Sequence, residues 1–136
     1  MKIYFAGSIR GGRENKEIYS EIIDTLKKYG EVLTEHIGDQ SLTHLGEVNV
    51  PDGHVYKRDM DWLKSSDVLV ADVSTPSLGV GYEIASAEIL GKKILCLYRQ
   101  GSEKKLSGMI NGNKNLTIRT YNTVKDLPEI FKNFFV

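Results

Sequence analysis

Residues 68–90 read VLVADVSTPSLGVGYEIASAEIL, and this stretch decides the fold of the chain. Its first six residues are apolar apart from one aspartate, which is typical of a buried strand. Small residues, a proline and two glycines follow, and the remainder has helical spacing. A buried strand, a tight turn and a helix form the repeating unit of α/β proteins, whose ligands bind where the strands end.

The same alternation of apolar runs and helical spacing extends along the whole chain. Strands are predicted over 2–6, 31–36, 67–73, 93–98 and 116–121. Helices are predicted over about 18–26, 55–64, 79–90, 106–110 and 124–134, with a polar loop over 37–53. The alternation indicates one α/β domain over 1–136. We expect this domain to be a three-layer sandwich, with a five-stranded parallel sheet and helices on both of its faces. The expected strand order is flavodoxin-like or Rossmann-like.

Composition narrows the class of protein. Lys and Arg number 18, as do Asp and Glu, so no global field favours a nucleic acid polymer or an anionic membrane. No apolar run approaches the roughly 20 residues of a membrane span. Cys96 is the single cysteine and lies in a predicted strand, so we expect a buried thiol and a cytoplasmic protein. The histidines have no ligand spacing, and we expect neither a metal nor a cofactor.

A glycine-rich turn, GSIRGG over 7–12, follows the first predicted strand. It lacks the spacing of dinucleotide-binding and Walker motifs. The Ser8 hydroxyl and the Arg10 guanidinium suit a single phosphomonoester, and we expect Ser77, Gly79 and Ser107 to converge on the same sheet edge. The alternative is a flexible surface turn with an incidental arginine.

Two carboxylates are candidates for chemistry at that edge. Glu83 falls in the first turn of the helix predicted from 79, where the helix dipole alone explains a negative charge, and Asp59 read alone is a solvated charge. Paired across a cleft, they suit glycosyl transfer, in which one carboxylate attacks an anomeric carbon and another group moves protons. A hydrogen bond from Tyr4 can keep such a nucleophile ionised. Read alone, Tyr4, Tyr19 and His36 are core or rim residues.

Five blocks of this sequence, taken together and in order, resemble the 2′-deoxynucleoside 5′-monophosphate N-hydrolases of the nucleoside 2-deoxyribosyltransferase superfamily. The blocks are YFAGSIRGGRE (4–14), VLTEH (32–36), Asp59 with Trp62-Leu63, PSLGVGYE (76–83) and ILCL (94–97). The resemblance implies hydrolysis of the N-glycosidic bond of a deoxynucleotide, which gives a free base and 2-deoxyribose 5-phosphate.

The resemblance also implies roles for the candidate residues. Glu83 would be the nucleophile that forms a covalent glycosyl-enzyme, Asp59 the proton-transferring carboxylate, and Tyr4 the residue that positions Glu83. Tyr19 and His36 would contact the base or the sugar.

The resemblance implies a phosphate site and a homodimer as well. The 5′-phosphate would be held by one turn together with Ser77 and Gly79. The residues of that turn are Phe5, Ala6, Gly7, Ser8, Ile9, Arg10 and Gly11. Ser107, Gly108 and Met109 would reach into the active site of the other subunit.

Two departures from the family and three alternatives stay open at this point. Ala6 replaces an expected cysteine, and residues 37–53 match poorly, which leaves the base preference open although purines are expected to react most readily.

The rivals are a deoxyribosyltransferase that passes the sugar to a second base, a hydrolase of ribonucleotides such as CMP, and a nucleotide sensor without chemistry. A dedicated phosphate turn argues against the transferase, and a retained nucleophile argues against the sensor.

Overall fold

The sheet of the computed structural model, which describes residues 1–9, 16–34 and 50–136, has five parallel strands. The strands are β1 (Lys2–Ala6), β2 (Glu31–Val32), β3 (Val68–Asp72), β4 (Lys93–Arg99) and β5 (Thr117–Tyr121). Their order is β2-β1-β3-β4-β5, which confirms the predicted parallel sheet and is the flavodoxin-like arrangement. In this order the connections change direction between β1 and β3, so the crevice at the carboxyl ends of these two strands is where a ligand is expected.

Helices cover both faces of the sheet, as predicted. They are α1 (Lys16–Leu26), α2 (Asp52–Ser65), α3 (Leu78–Ile89), α4 (Gly108–Asn111) and α5 (Leu127–Phe134), the last preceded by a 3-10 turn at Val124–Asp126. Because strand side chains alternate, Ile3 and Phe5 of β1 pack in the core under α1 and α5, whereas Tyr4 and Ala6 pack in the core under α2 and α3. None of the helices within the described ranges has both the length and the apolar character needed to cross a membrane.

The second strand is shorter than predicted. The sequence favours a strand over 31–36, but the sheet keeps only Glu31–Val32, and Leu33 and Thr34 form a turn. The Thr34 hydroxyl donates to the carbonyl of Phe5 at 2.6 Å and accepts from the amide of Phe5 at 2.8 Å. A buried side chain therefore replaces the next backbone pairing, which ends the strand.

The helix that carries Glu83 begins earlier than predicted. Ser77 caps α3 by accepting from the amide of Val80 at 3.3 Å, so the helix starts at Leu78 and not at Gly79. Glu83 lies in the second turn and not in the first as expected, so the helix dipole does not account for its position. Similarly, α2 starts at Asp52, three residues before the predicted Val55, directly after Pro51.

Candidate active site

Tyr4 and Glu83 meet on the α2 and α3 side of the sheet. The hydroxyl of Tyr4 donates a hydrogen bond to Oε2 of Glu83, and the Tyr4 side chain is wholly buried in the middle of β1. Tyr4 comes from a central strand and Glu83 from the second turn of α3, so both are held by rigid elements. The sequence expectation that a tyrosine supports this carboxylate corresponds to a contact in the structure.

Asp59, from the middle of α2, lies close enough for its charge to act on both of these residues. Burial, together with the nearby charge of Asp59, raises the pKa of Glu83 from 4.5 to about 7, while the hydrogen bond from Tyr4 opposes the rise. Burial and the two carboxylates raise the pKa of the Tyr4 phenol far above its ordinary value, so it stays protonated as a donor. The three candidate catalytic residues thus form one interacting cluster.

The turn after β1 is built around Tyr19 of α1. The Tyr19 hydroxyl accepts a hydrogen bond from the amide of Ser8 at 3.0 Å, and its ring packs edge-on against Phe5 at 5.6 Å between centroids. A Cβ atom at Gly7 would stand 2.9 Å from the Tyr19 ring, so the backbone passes too close for any side chain. Tyr19, expected to contact the base or the sugar, is completely buried and supports the turn from below.

Ser8 carries the clearest sign of a ligand at this turn. Its side chain is completely buried, and its hydroxyl has no hydrogen-bond partner among the residues that the structure describes. Buried hydroxyls normally have partners, so an orphaned one indicates a missing ligand or water. Of the neighbouring candidates, Ala6 lies buried under α2 and α3, and Ile9 packs partly buried against the core under α1. Arg10, Gly11 and His36 lie outside the described residues.

Ser77 and Gly79 lie at the start of α3. The Ser77 hydroxyl caps the helix, and the amide of Gly81 donates to the Ser77 carbonyl at 3.1 Å, so part of the first turn is already occupied. A Cβ atom at Gly79 would meet only the Ser77 hydroxyl, at 3.9 Å, so the surface over this glycine is open. An anion can approach the start of the helix there.

Ser107 lies at the start of α4. It caps α4 and lines a cavity of about 520 Å³ with Ser77 and Met109. The cavity lies between α3 and residues 105–110, and neither Ser8 nor Glu83 is among its lining residues. Ser77 and Ser107 therefore line one cavity, and the expected convergence of Ser107 with the turn at Ser8 stays a prediction.

Three polar residues near the sheet edge received no role from the sequence. Thr34 clamps the backbone of Phe5, and Arg58 donates from Nε to Oδ1 of Asp59 at 3.0 Å. The third, Asp72, is buried at the end of β3 and accepts from the Tyr121 hydroxyl at 2.6 Å and from the Ser74 amide at 2.9 Å. A carboxylate inside an apolar strand was a usable signal for Asp72. A basic residue next to an acidic one on a helix, as at Arg58, is too common in sequences to indicate a function.

Metal chemistry has no candidate centre in residues 1–9, 16–34 and 50–136, where no three His, Cys, Asp or Glu side chains are placed to hold an ion. Cys96 is buried in β4, and burial raises the pKa of its thiol to about 12. The thiol is therefore neutral and unreactive at neutral pH.

Comparison with known proteins places this chain in a family. The family model for nucleoside 2-deoxyribosyltransferase matches residues 3–120. A 5-hydroxymethyl-dUMP N-hydrolase of Esox lucius is 56% identical over 114 residues, which are 82% of this chain and 79% of the relative. A 5-hydroxymethyl-dUMP N-hydrolase of Tetraodon nigroviridis is 45% identical over 139 residues, covering 99% of this chain and 97% of the relative.

The fold is shared more widely than the sequence. A solved structure of a CMP N-glycosidase of Clostridium botulinum has a TM-score of 0.65 and 23% sequence identity to this chain. The likeness covers 97% of this chain and 99% of the other. At this level of identity the likeness concerns the fold alone.

Proposed function

This chain belongs to the nucleoside 2-deoxyribosyltransferase family, and we propose that it hydrolyses the N-glycosidic bond of 2′-deoxynucleoside 5′-monophosphates. The products are the free base and 2-deoxyribose 5-phosphate. The observation that carries the proposal is the contact between Tyr4 and Glu83, with the charge of Asp59 beside them. Relatives of nearly the same length that are named N-hydrolases support the assignment.

Glu83 is the nucleophile in this proposal. Its carboxylate attacks C1′ of the deoxyribose as the bond to the base nitrogen breaks, and the base leaves with the bonding electron pair and takes up a proton. Water then attacks C1′ of the glycosyl-enzyme, releasing the Glu83 carboxylate and giving the 1-hydroxyl of the sugar. Asp59 moves the protons, and Tyr4 donates to the Glu83 carboxylate whenever that group is free.

The 5′-phosphate lies on the turn that follows β1. The orphaned hydroxyl of Ser8 supports this position, because a phosphate oxygen can supply the hydrogen-bond partner that this hydroxyl lacks among the described residues. The rest of the turn (Phe5, Ala6, Ile9, Arg10 and Gly11) and the start of α3 (Ser77 and Gly79) complete the proposed phosphate site. A site of this kind favours nucleotides over the unphosphorylated nucleosides that a transferase would use.

The relatives direct the choice of base. Those reported above are named for 5-hydroxymethyl-dUMP, whose base is a pyrimidine, so this nucleotide is our first candidate substrate. The purine preference expected from the sequence gains no support from these names. Tyr19 stays a supporting residue of the site in this proposal, and His36 stays a candidate for contact with the base or the sugar.

A homodimer is part of the proposal. Leu78, Ile89 and Met109 are large apolar residues that are 98%, 86% and 84% exposed, and the first two lie on α3. A helix that is apolar on its outer side as well as its inner side is expected to be covered. A second copy that covers α3 would bring its own Ser107, Gly108 and Met109 towards this protomer's site. We propose that the dimer is cytoplasmic, because Cys96 is the single cysteine of the sequence and the chain has no disulfide framework.

The experiment is a substrate panel resolved by chromatography. It contains 5-hydroxymethyl-dUMP, the four standard deoxynucleoside monophosphates, CMP, and deoxynucleosides with and without a second free base. We expect free base from deoxynucleoside monophosphates without any acceptor base. Release only when an acceptor is present would show a transferase, preferred cleavage of CMP a ribonucleotide hydrolase, and no release from any compound a sensor.

A further inference from the structure

Arg58, the residue before Asp59 in α2, places a cation against the Asp59 carboxylate. Nε of Arg58 donates to Oδ1 of Asp59 at 3.0 Å, and the two side chains are only 21% and 25% exposed. Charge-assisted hydrogen bonds are the strong ones, and partial burial protects this bond from screening by salt. The contact therefore differs from an ordinary surface ion pair.

Arg58 is itself held by Trp62, one helical turn further along α2. The carbon at the centre of the guanidinium lies 4.9 Å from the centroid of the indole ring, which is a cation–π contact. Residues four apart on a helix lie one above the other, so the helical geometry of α2 brings these two side chains together. A planar guanidinium can stack on the indole and still donate in its own plane to a carboxylate, which a lysine cannot do.

The charge of Arg58 also reaches Tyr4. It opposes the rise in the pKa of Tyr4, on which Glu83 and Asp59 act in the other direction. The groups that face one another are Tyr4 from β1, Arg58 and Asp59 from α2, and Glu83 from α3. Two neighbouring carboxylates repel each other, so a cation bound to one of them favours the state in which both are ionised.

We propose that Arg58, seated on Trp62, is a positioning residue for catalysis: its hydrogen bond to Oδ1 fixes the orientation of the Asp59 carboxylate that moves the protons. Its charge also offsets the repulsion between Asp59 and Glu83, so that Glu83 reaches the ionised form that attack requires at a lower pH than it would without Arg58. This inference rests on the proposed function, because it concerns the same reaction.

The same helix offers a matched control. Lys57 and Asp61 form an ion pair at 2.6 Å, but their side chains are 78% and 56% exposed and neither belongs to the cluster. Exposed pairs of this kind contribute little. Arg58→Met and Lys57→Met each remove one positive charge from neighbouring positions of α2, and only the first changes the surroundings of Asp59.

The test compares both variants with the unaltered protein in steady-state hydrolysis of 5-hydroxymethyl-dUMP across pH. For Arg58→Met we expect kcat to fall about tenfold or more with little change in KM, because the lost hydrogen bond acts on the barrier. We also expect the acid limb of kcat/KM to move up by about one pH unit, as expected when a cation beside carboxylates is lost. Lys57→Met should keep both within about twofold.

Two further variants separate folding from charge. Arg58→Lys keeps the positive charge but loses the planar guanidinium that stacks on Trp62, and it should recover part of the kcat lost in Arg58→Met. Trp62→Leu leaves Arg58 in place and should lower kcat, as Arg58→Met does. Circular dichroism and thermal melting show whether each variant is folded. Equal kcat and an equal acid limb for folded Arg58→Met and Lys57→Met would overturn the inference alone. Absence of base release by the unaltered protein would instead overturn the proposed function.

Discussion

The hydroxyl of Tyr4 in β1 donates a hydrogen bond to Oε2 of Glu83 in α3, although the two residues are 79 positions apart in the chain. The phenol remains protonated at any physiological pH, so the hydrogen bond always favours the ionised form of Glu83. Burial and the charge of Asp59 favour the neutral form and prevail, raising the pKa of Glu83 to about 7. The candidate nucleophile is therefore half ionised near neutral pH.

Activity should depend on pH in the direction that this balance sets. Glu83 attacks only as a carboxylate, so we expect kcat/KM to rise with pH and to level off above an acid limb near pH 7. Steady-state rates of base release between pH 5 and pH 9 measure the limb. The range extends about two units either side of the expected value. A limb close to the ordinary value of 4.5 would mean that the carboxyl group is solvated in the working enzyme.

Removing the Tyr4 hydroxyl should move that limb upwards. Tyr4→Phe deletes a hydrogen bond that lowers the pKa of Glu83, so we expect an acid limb at least about one pH unit higher and a lower kcat at pH 7. The measurement is the same pH profile, made for the variant.

Tyr121→Phe is the matched control for this change. Tyr121 is also a buried tyrosine that donates to a buried carboxylate, at 2.6 Å from Asp72, but it lies in the core under α1 and α5. We expect Tyr121→Phe to lower the thermal midpoint and to leave the acid limb in place. An identical shift of the limb in both variants would show that loss of packing, and not the hydrogen bond to Glu83, sets the profile.

Glu83→Gln should abolish turnover while keeping nucleotide affinity within about tenfold, because a nucleophile acts on the barrier and not on ground-state binding. Base release measures the first effect and titration calorimetry with a deoxynucleoside monophosphate the second. Substantial turnover by the variant would exclude Glu83 as the nucleophile.

The same variant has an effect on stability whose sign follows from linkage. The folded protein binds the Glu83 proton more tightly than the unfolded chain does, since folding raises the pKa from 4.5 to about 7. Stability contributed by this proton is present at low pH and declines as pH rises through that window. Chemical unfolding at several pH values should show the decline in the unaltered protein and a smaller one in Glu83→Gln.

The central strands and their helices could be predicted because their patterns are strong. Val68–Asp72 is buried along its whole length, and α1 and α5 each carry one apolar face. The end of β2 could not be predicted, because it depends on the Thr34 side chain meeting the backbone of Phe5 from a neighbouring strand. Local periodicity contains no information about such contacts.

The candidate site shows the same division. Ser8, Glu83 and Asp59 stand out in the sequence as polar residues at element ends or on a helix beside the sheet. The contact between Tyr4 and Glu83 could not be predicted in this way. It depends on which strands are neighbours and on which face of β1 Tyr4 lies, and both follow from the assembled sheet. The cap of α3 is Ser77, which places the helix start at Leu78 and Glu83 in the second turn, where the sequence had led us to expect the first.

Ser8→Ala should raise KM for phosphorylated substrates specifically. Hydrogen bonds to charged groups are stronger than neutral ones, so we expect KM for a deoxynucleoside monophosphate to rise about tenfold. Any residual cleavage of the corresponding nucleoside should be unchanged. Ser66→Ala is the control, since Ser66 is also buried but donates to the carbonyl of Leu63 at 2.7 Å. An unchanged KM in Ser8→Ala would mean that the phosphate is held elsewhere.

The exposed apolar side of α3 should be covered by a second copy of the chain. Ile89→Glu places a charge on this surface, in the last turn of the helix and away from Glu83, so we expect a monomer by light scattering and a loss of base release. Val136→Glu is the control, because Val136 is as exposed but lies at the end of the chain. A monomeric unaltered protein with full activity would contradict the dimer.

Mixing two inactive variants tests whether the second copy completes the site. One carries Glu83→Gln, and the other carries Ser107→Ala with Met109→Ala. If residues 107–109 act in the neighbouring protomer, each mixed dimer holds one site with an intact Glu83 and an intact loop. Random exchange of subunits between equal amounts of the two variants makes half of the dimers mixed. One of the two sites in each mixed dimer is intact, so about a quarter of all sites should recover activity. If the loop serves its own protomer, every site keeps one defect and mixing restores nothing.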